Sequence, residues 1–296
     1  MVVCLYERVR VWGNILLRTI MKKAIIDVGG GMKSIYGAGI YDYFLDNGIT
    51  FDIAIGVSAG SSNLATYKAG QKGRLKRFYQ EYAGRKEYMG IRKYVRTGNF
   101  VNLPYIFEDL SSRDGEDPLD WDHYDENPMD FWVVSTDAIS GTAHYFRASD
   151  DPRPFEASCN LPLLNRAYML DGHPYYDGGL TDPVPYEKAF ELGAEKVVIV
   201  LTRPEDKKRI EQLNIPIGKV LGYRWPGAGK ALLNRSTIYN EQIRDMQKYK
   251  DEGKIFTVYP EHSYGVTMLL RCNYNSEKLD KEGYRDGEKI RKFLES

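Results

Sequence analysis

The strongest constraint on this chain is the pentapeptide Gly56-Val57-Ser58-Ala59-Gly60, which follows the apolar run Phe51-Asp52-Ile53-Ala54-Ile55 and precedes Ser61 to Gly70. The apolar run predicts a buried strand, and the segment after the pentapeptide predicts a helix that Gly70 ends. A strand that turns directly into a helix at G-x-S-x-G makes a nucleophile elbow, with the serine at strained backbone angles. Residues two before and two after the serine must then be small, and Gly56 and Gly60 meet that demand. Ser58 is therefore the candidate nucleophile, and Ala59 offers its backbone N–H beside it.

Length and composition bound the setting. The 296 residues suit one large α/β domain. Lys plus Arg count 41, and so do Asp plus Glu. That balance leaves no charge footprint for nucleic acid and no large basic surface for anionic lipid. Cys4, Cys159 and Cys272 stand far apart without C-x-x-C spacing, which argues against a zinc site or a disulfide framework and for a reducing cytoplasm. No apolar run approaches the roughly 20 residues that cross a bilayer, so membrane contact, if any, is peripheral. Arg8, Arg10 and Arg18 break any signal-peptide core. Met21-Lys22-Lys23 reads as a natural start, which makes residues 1–21 an extension outside the fold; an amphipathic surface anchor is the other reading.

Along the chain, Lys23 to Val28 reads as a strand that runs into Gly29-Gly30-Gly31-Met32-Lys33-Ser34 and then a helix to about Asp46. Strand, glycine loop, helix, strand and elbow make a βαβ unit, whose parallel sheet places Gly29 and Ser58 on one edge. Glu108 to Asp130 is rich in carboxylates and reads as an exposed loop, without the residue spacing of a calcium loop. Phe131 to Ser135 predicts a strand with a hairpin partner at His144 to Phe146, and Asp171-Gly172 predicts a two-residue turn between two more strands. Lys196 to Thr202 and Lys254 to Tyr259 are further strands, with helices at Glu187 to Gly193, Leu233 to Lys250 and Ser276 to Leu294. Arg203 onward reads as basic, loop-rich and solvated through Trp225, with membrane contact or a cap over an acyl site as the other readings.

A serine that transfers acyl groups needs a base and needs donors where the carbonyl oxygen becomes negative. The N–H groups of Gly30, Gly31 and Met32 at a helix start are candidate donors, joined by that of Ala59. A phosphate cradle is the competing reading, but Met32 and Ser34 stand where the two nucleotide-binding fingerprints require glycine. For the base, a serine, acid, histidine order leaves only His262, in a polar setting. Asp177, followed by the turn-forming Gly178-Gly179, is the better candidate, since a desolvated carboxylate gains proton affinity. Ser158 and Cys159 are rival nucleophiles in principle, but they lack the elbow glycines and read as residues packed near the site.

Together, G-G-G-x-K at Gly29 to Lys33, G-x-S-x-G at Gly56 to Gly60 and D-G-G at Asp177 to Gly179 resemble the patatin-like phospholipases. The resemblance covers Lys22 to about Thr202. It implies a three-layer α/β/α sandwich with a mainly parallel sheet, a Ser58 and Asp177 dyad, and an oxyanion hole at Gly29, Gly30, Gly31 and Met32. Lys33, Gly56, Ala59, Gly60, Gly178 and Gly179 would support it. No cofactor or metal is then required, and the expected partner is a lipid or other acyl ester. Residues 22–202 would be the catalytic domain, and residues 203–296 an α/β extension packed on it. Ser34 departs from the glycine that the family usually has there, which touches the loop and leaves open a catalytically silent lipid-binding protein. Acyl transfer to another acceptor is the remaining alternative, and oligomeric state is not read from the sequence.

Overall fold

The computed structural model describes residues 21–149, 151–210, 214–269 and 273–296. The extension read at residues 1–21 thus lies outside the described residues except for Met21, as do Cys4 and Cys272. Eight strands form one sheet: β1 (Lys23–Asp27), β2 (Ile53–Val57), β3 (Asp130–Asp137), β4 (Ala143–Arg147), β5 (Tyr168–Leu170), β6 (His173–Asp177), β7 (Lys196–Val200) and β8 (Ile255–Val258). Apolar runs without alternation need cover on both faces, as parallel strands do. Accordingly β3, β2, β1, β7 and β8 lie side by side and parallel.

Helices supply that cover. On one face Ile25, Ala54, Phe131, Val133 and Val198 pack with the helices Ile35–Asn47, Ala59–Lys68 and Asn273–Glu295. On the other, Ala24, Ile26, Ile55, Val134 and Ile199 pack with the helices Tyr186–Glu191 and Pro226–Asp245. The result is the expected three-layer α/β/α sandwich. β8 continues the same sheet beside β7, with Val197 opposite Ile255 and Val200 opposite Val258.

One detail of register sets up the site. Ser135 and Thr136 of β3 pair with β4 and also with β6. A strand has two edges, so β6 must occupy the edge that β2 uses further back, where Val57 pairs with Val134. β2 and β6 therefore meet end-on along β3. Asp177, opposite Ser135, comes up against the turn that follows Val57.

Two expectations are corrected. Asn214–Arg224 is a helix rather than loop. Its Gly218 and Gly222 are helix-packing residues: a Cβ on the facing Gly229 would lie 2.6 Å from Gly222 Cα. The acidic segment is not an exposed loop throughout, because Leu110, Leu119, Trp121 and Tyr124 are buried and Trp121–Glu126 is helical. Its carboxylates meet arginines, as in Arg85 with Glu116 and Arg113 with Asp122. The Asp171-Gly172 turn does join β5 to β6, with φ of 49° and 82°, as a tight hairpin requires.

Candidate active site

Ser58 sits between β2 and the helix Ala59–Lys68 at φ 55°, ψ −135°, a conformation that L residues avoid. The turn is as tight as the motif demands. A Cβ on Gly56 would lie 2.4 Å from Ser61 Cα, and one on Gly60 would lie 2.2 Å from the Asp27 carbonyl oxygen. A second support was not legible from spacing. The Ser58 N–H donates to Ser158 Oγ at 2.9 Å, and Ser158 Oγ donates to the Val134 carbonyl at 2.6 Å. Ser158 is fully buried and thus a bolt beneath the elbow, not a rival nucleophile. Burial pushes the neighbouring Cys159 thiol up to about 12, which keeps it protonated near neutral pH.

The glycine loop presses against this turn. Gly29, Gly30 and Gly31 have φ of 67°, 138° and 60°, three consecutive values that disfavour any side chain. A Cβ on Gly29 would stand 2.3 Å from the Val57 carbonyl. Thr202 Oγ1 donates to the Gly29 carbonyl at 2.7 Å, and the Gly29 N–H donates to Asp27 Oδ1 at 2.9 Å. Asp27, absent from the sequence-based site, is fully buried. It also accepts from Tyr41 Oη and Asn63 Nδ2, each at 3.0 Å. Burial raises its carboxyl to about 6 against the pull of these bonds. The signal that could have found it was an acid at the end of an otherwise apolar strand.

The oxyanion expectation needs one correction. Met32 N–H is directed to the Met268 carbonyl at 3.0 Å, and with Gly29 N–H given to Asp27, the candidates that remain are Gly30 and Gly31. The Ser34 departure does not disturb the loop. Ser34 has φ −68° and ψ −4°, which any residue adopts, and its carbonyl accepts from Asn63 Nδ2 at 2.9 Å.

Asp177 closes the set. The residue is 2 % exposed, and its Oδ1 accepts the Gly179 N–H at 2.8 Å. Its own N–H donates to the Asn160 carbonyl, while its carbonyl accepts from Thr136 Oγ1 at 2.8 Å. Burial raises its proton affinity above the ordinary carboxylate value; the charge of Arg235, the Ser58 hydroxyl, the Gly179 N–H and the charge of Arg209 oppose this in that order. Arg235 Nε donates to the Gly179 carbonyl at 2.9 Å. Gly178 is the close-approach position here, since a Cβ on it would lie 2.2 Å from the Val134 carbonyl.

Ser58, Asp177, Gly29, Gly30 and Lys33 all face one open cavity of about 860 Å³. Val28, Ser58, Thr202 and Pro260, which follow β1, β2, β7 and β8, line it, so it stands at the carboxyl ends of the parallel strands. Its outer wall comes from Arg203, Lys207, Arg209, Ile217 and Arg235. This corrects the reading of that stretch as merely solvated. Trp225 itself packs in a separate cluster with Tyr176 and Leu180. His262 is exposed and not part of the cavity lining, while His173 Nε2 lies 2.9 Å from Asp137 Oδ2. Among the described residues, no cluster of His, Cys, Asp and Glu could hold a metal, and no helix is long and apolar enough to cross a membrane.

Comparison with known proteins agrees with this geometry in its N-terminal part. The family described as "Patatin-like phospholipase" matches residues 28–122, which contain the glycine loop and the elbow but not Asp177. The Escherichia coli (strain K12) protein "Uncharacterized protein YjjU" is 27 % identical over 257 residues, covering 80 % of this chain and 68 % of the relative. Among solved structures, VipD from Legionella pneumophila aligns with a TM-score of 0.46 at 14 % identity over 91 % of this chain. The chain spans 66 % of VipD, and so distant a likeness carries no weight for function.

Proposed function

We propose that this chain, patatin-like over residues 28–122, is a serine acyl-ester hydrolase that acts on lipid esters of the phospholipase A or lysophospholipase type. The family is one of lipid acyl hydrolases; the dyad and the substrate type are our reading. The observation that carries it is the placement of Ser58, strained and facing a cavity, beside a buried carboxylate whose proton affinity is raised.

In this mechanism Ser58 Oγ attacks the ester carbonyl carbon while the Asp177 carboxylate takes the hydroxyl proton. The N–H groups of Gly30, Gly31 and Ala59 hold the oxyanion, aided by the positive end of the helix Ala59–Lys68. Asp177 then protonates the leaving alcohol, and the acyl group stays on Ser58. Water attacks the acyl-enzyme, giving a proton to Asp177, and the carboxylic acid departs as Ser58 regains its hydrogen. The charge of Arg235, the Ser58 hydroxyl and the Gly179 N–H oppose the rise that burial causes in Asp177 and favour its charged form. Peripheral contact with a lipid aggregate belongs to the same reading, since Ile210 lines the cavity and is 76 % exposed.

A fluorophosphonate probe on the purified chain tests the nucleophile. Labelling should occur in the wild type and vanish in Ser58→Ala; labelling that survives the substitution would overturn the assignment. Addition of an alcohol acceptor separates hydrolysis from acyl transfer by its products. Co-sedimentation with anionic liposomes at low salt tests the surface contact, and a protein left wholly in the supernatant removes that part.

A further inference from the structure

The cavity carries a charge that the whole chain does not. Lys plus Arg equal Asp plus Glu over the full sequence, yet Lys33, Arg203, Lys207, Arg209 and Arg235 line this one space. Among the described residues, only Asp177 and Glu261 line it with negative charge. Asp177 is already committed to Ser58 in the mechanism above. The outer cations are not scattered: Arg203 and Arg209 both stack on Tyr239, with guanidinium carbons 5.9 and 5.5 Å from the ring centre.

Tyr239 adds an independent observation. It lines the same cavity and is 3 % exposed, and its buried hydroxyl has no hydrogen-bond partner among the described residues. A buried hydroxyl without a partner is costly, and a ligand oxygen relieves the cost. Two guanidinium groups on one ring, with an unpartnered hydroxyl at its edge and Lys207 exposed nearby, offer donors and positive charge together. Arginine in particular suits phosphate oxygens.

The Arg203, Lys207 and Arg209 wall offers an ammonium group no counter-charge. A desolvated choline or ethanolamine nitrogen needs a carboxylate or an aromatic face. Here the Tyr239 face is already taken by two cations, and the carboxylates are Asp177 and Glu261.

We propose that Arg203, Lys207, Arg209 and Tyr239 form a headgroup subsite, which selects acyl esters whose alcohol part carries an anionic phosphate and no balancing ammonium. The proposal rests on reading Ser58 as the nucleophile of an ester hydrolase. It narrows the substrate to acidic glycerophospholipids and their lysolipids.

The test uses the full chain with lysophosphatidate, lysophosphatidylcholine and monoacylglycerol of one acyl length in mixed micelles of a neutral detergent. kcat/KM for lysophosphatidate should exceed that for lysophosphatidylcholine by about tenfold or more, the scale of one or two charge-assisted hydrogen bonds. The ratio should fall several-fold in Lys207→Gln, further in Lys207→Glu, and further still in Arg203→Gln with Lys207→Gln. Equal or better turnover of the choline lipid, or a ratio unmoved by these variants, overturns the subsite. Calorimetry with Ser58→Ala separates the two levels of the argument. Hydrolysis that depends on Ser58 but ignores the headgroup leaves the hydrolase and removes the subsite. Tight lysophosphatidate binding by Ser58→Ala, with no hydrolysis of any of the three by wild type, leaves the subsite and removes the hydrolase. Inorganic phosphate alone should bind weakly; binding as tight as the lysolipid would make the ligand a soluble phosphate compound and overturn the lipid assignment.

Discussion

The floor of the cavity and its outer wall are built by opposite means. The floor, from Asp27 through Gly31, Gly56 through Gly60 and Asp177 through Gly179, is backbone forced into tight turns. Side chains buried beneath it, namely Asp27, Asn63, Ser158 and Thr202, pin it with hydrogen bonds. The outer wall at Arg203, Lys207 and Arg209 consists of long cationic side chains, half-buried or exposed, on the irregular segment that follows β7. A floor of this kind holds atoms in place through bond formation, whereas a wall of this kind sets a field and tolerates change. Substitutions in the floor should therefore alter turnover and stability, and substitutions in the wall should alter selectivity.

The largest effect expected is on the dyad. Ser58→Ala should lower kcat on any ester by about 10⁴ or more, and Asp177→Asn by about 10³ to 10⁴, with folding preserved. Steady-state assays beside far-UV spectra check this. Retained activity in either variant would break the assignment of chemistry to the floor.

Next comes the cost of filling the floor. The Cβ that Gly60→Ala introduces would lie 2.2 Å from the Asp27 carbonyl and 2.6 Å from its Oδ1. Both neighbours are held, so neither yields cheaply, and the variant should lose about 3 kcal/mol or more by urea unfolding. A change within about 0.5 kcal/mol would mean that the loop is far softer than its contacts indicate.

Titration separates the two floor acids. Asp177 must be charged to accept the proton, and its folded value is raised. Activity should thus rise with pH through a value above the usual aspartate range, and an acid limb at or below about 4 would contradict this. Asp27 acts on stability. Its folded value of about 6 exceeds the ordinary 3.8, so the folded chain binds the proton first as pH falls. Above about 6 the buried charge costs stability, and this cost is relieved progressively between about 6 and 3.8. The pH slope of stability in wild type should differ from that in Asp27→Asn within this range and match it above and below; equal slopes throughout would contradict the raised value.

The smallest effect belongs to the wall. Raising ionic strength from about 0.05 to 0.5 M should raise KM for an acidic lysolipid a few-fold with kcat nearly constant, because screening acts on exposed charges. A fall in kcat instead would place the cations within the reacting centre.

The parts of this site that depend on neighbours in sequence were legible in advance. Elbow, glycine loop and D-G-G turn each follow from a short run whose backbone conformation only small residues permit. Strands β1, β2 and β7 were visible because mainly apolar runs of that length must be buried, and β8 because its residues are β-branched and aromatic. The helix Asn214–Arg224 was missed because Gly218 and Gly222 look like loop residues, although they serve close helix packing. Asp27 was missed as a support, and Ser158 read only as packed near the site, for the same reason in reverse. What they do depends on Tyr41, Asn63 and Val134, to which no sequence spacing points.

The sequence by itself determined that a strained serine would stand at a sheet edge beside a glycine loop. The tertiary structure alone decided what that serine meets. Asp177 reaches it because β6 and β2 share one edge of β3 end-on. Met32 leaves the set of donors because Met268, far along the chain, accepts its N–H. The cavity becomes basic because a chain of balanced charge folds its Arg203 to Arg235 stretch over one opening. Backbone strain is a local property and is written in adjacent residues. Pairing, burial and field are sums over residues distant in sequence, and folding brings them together.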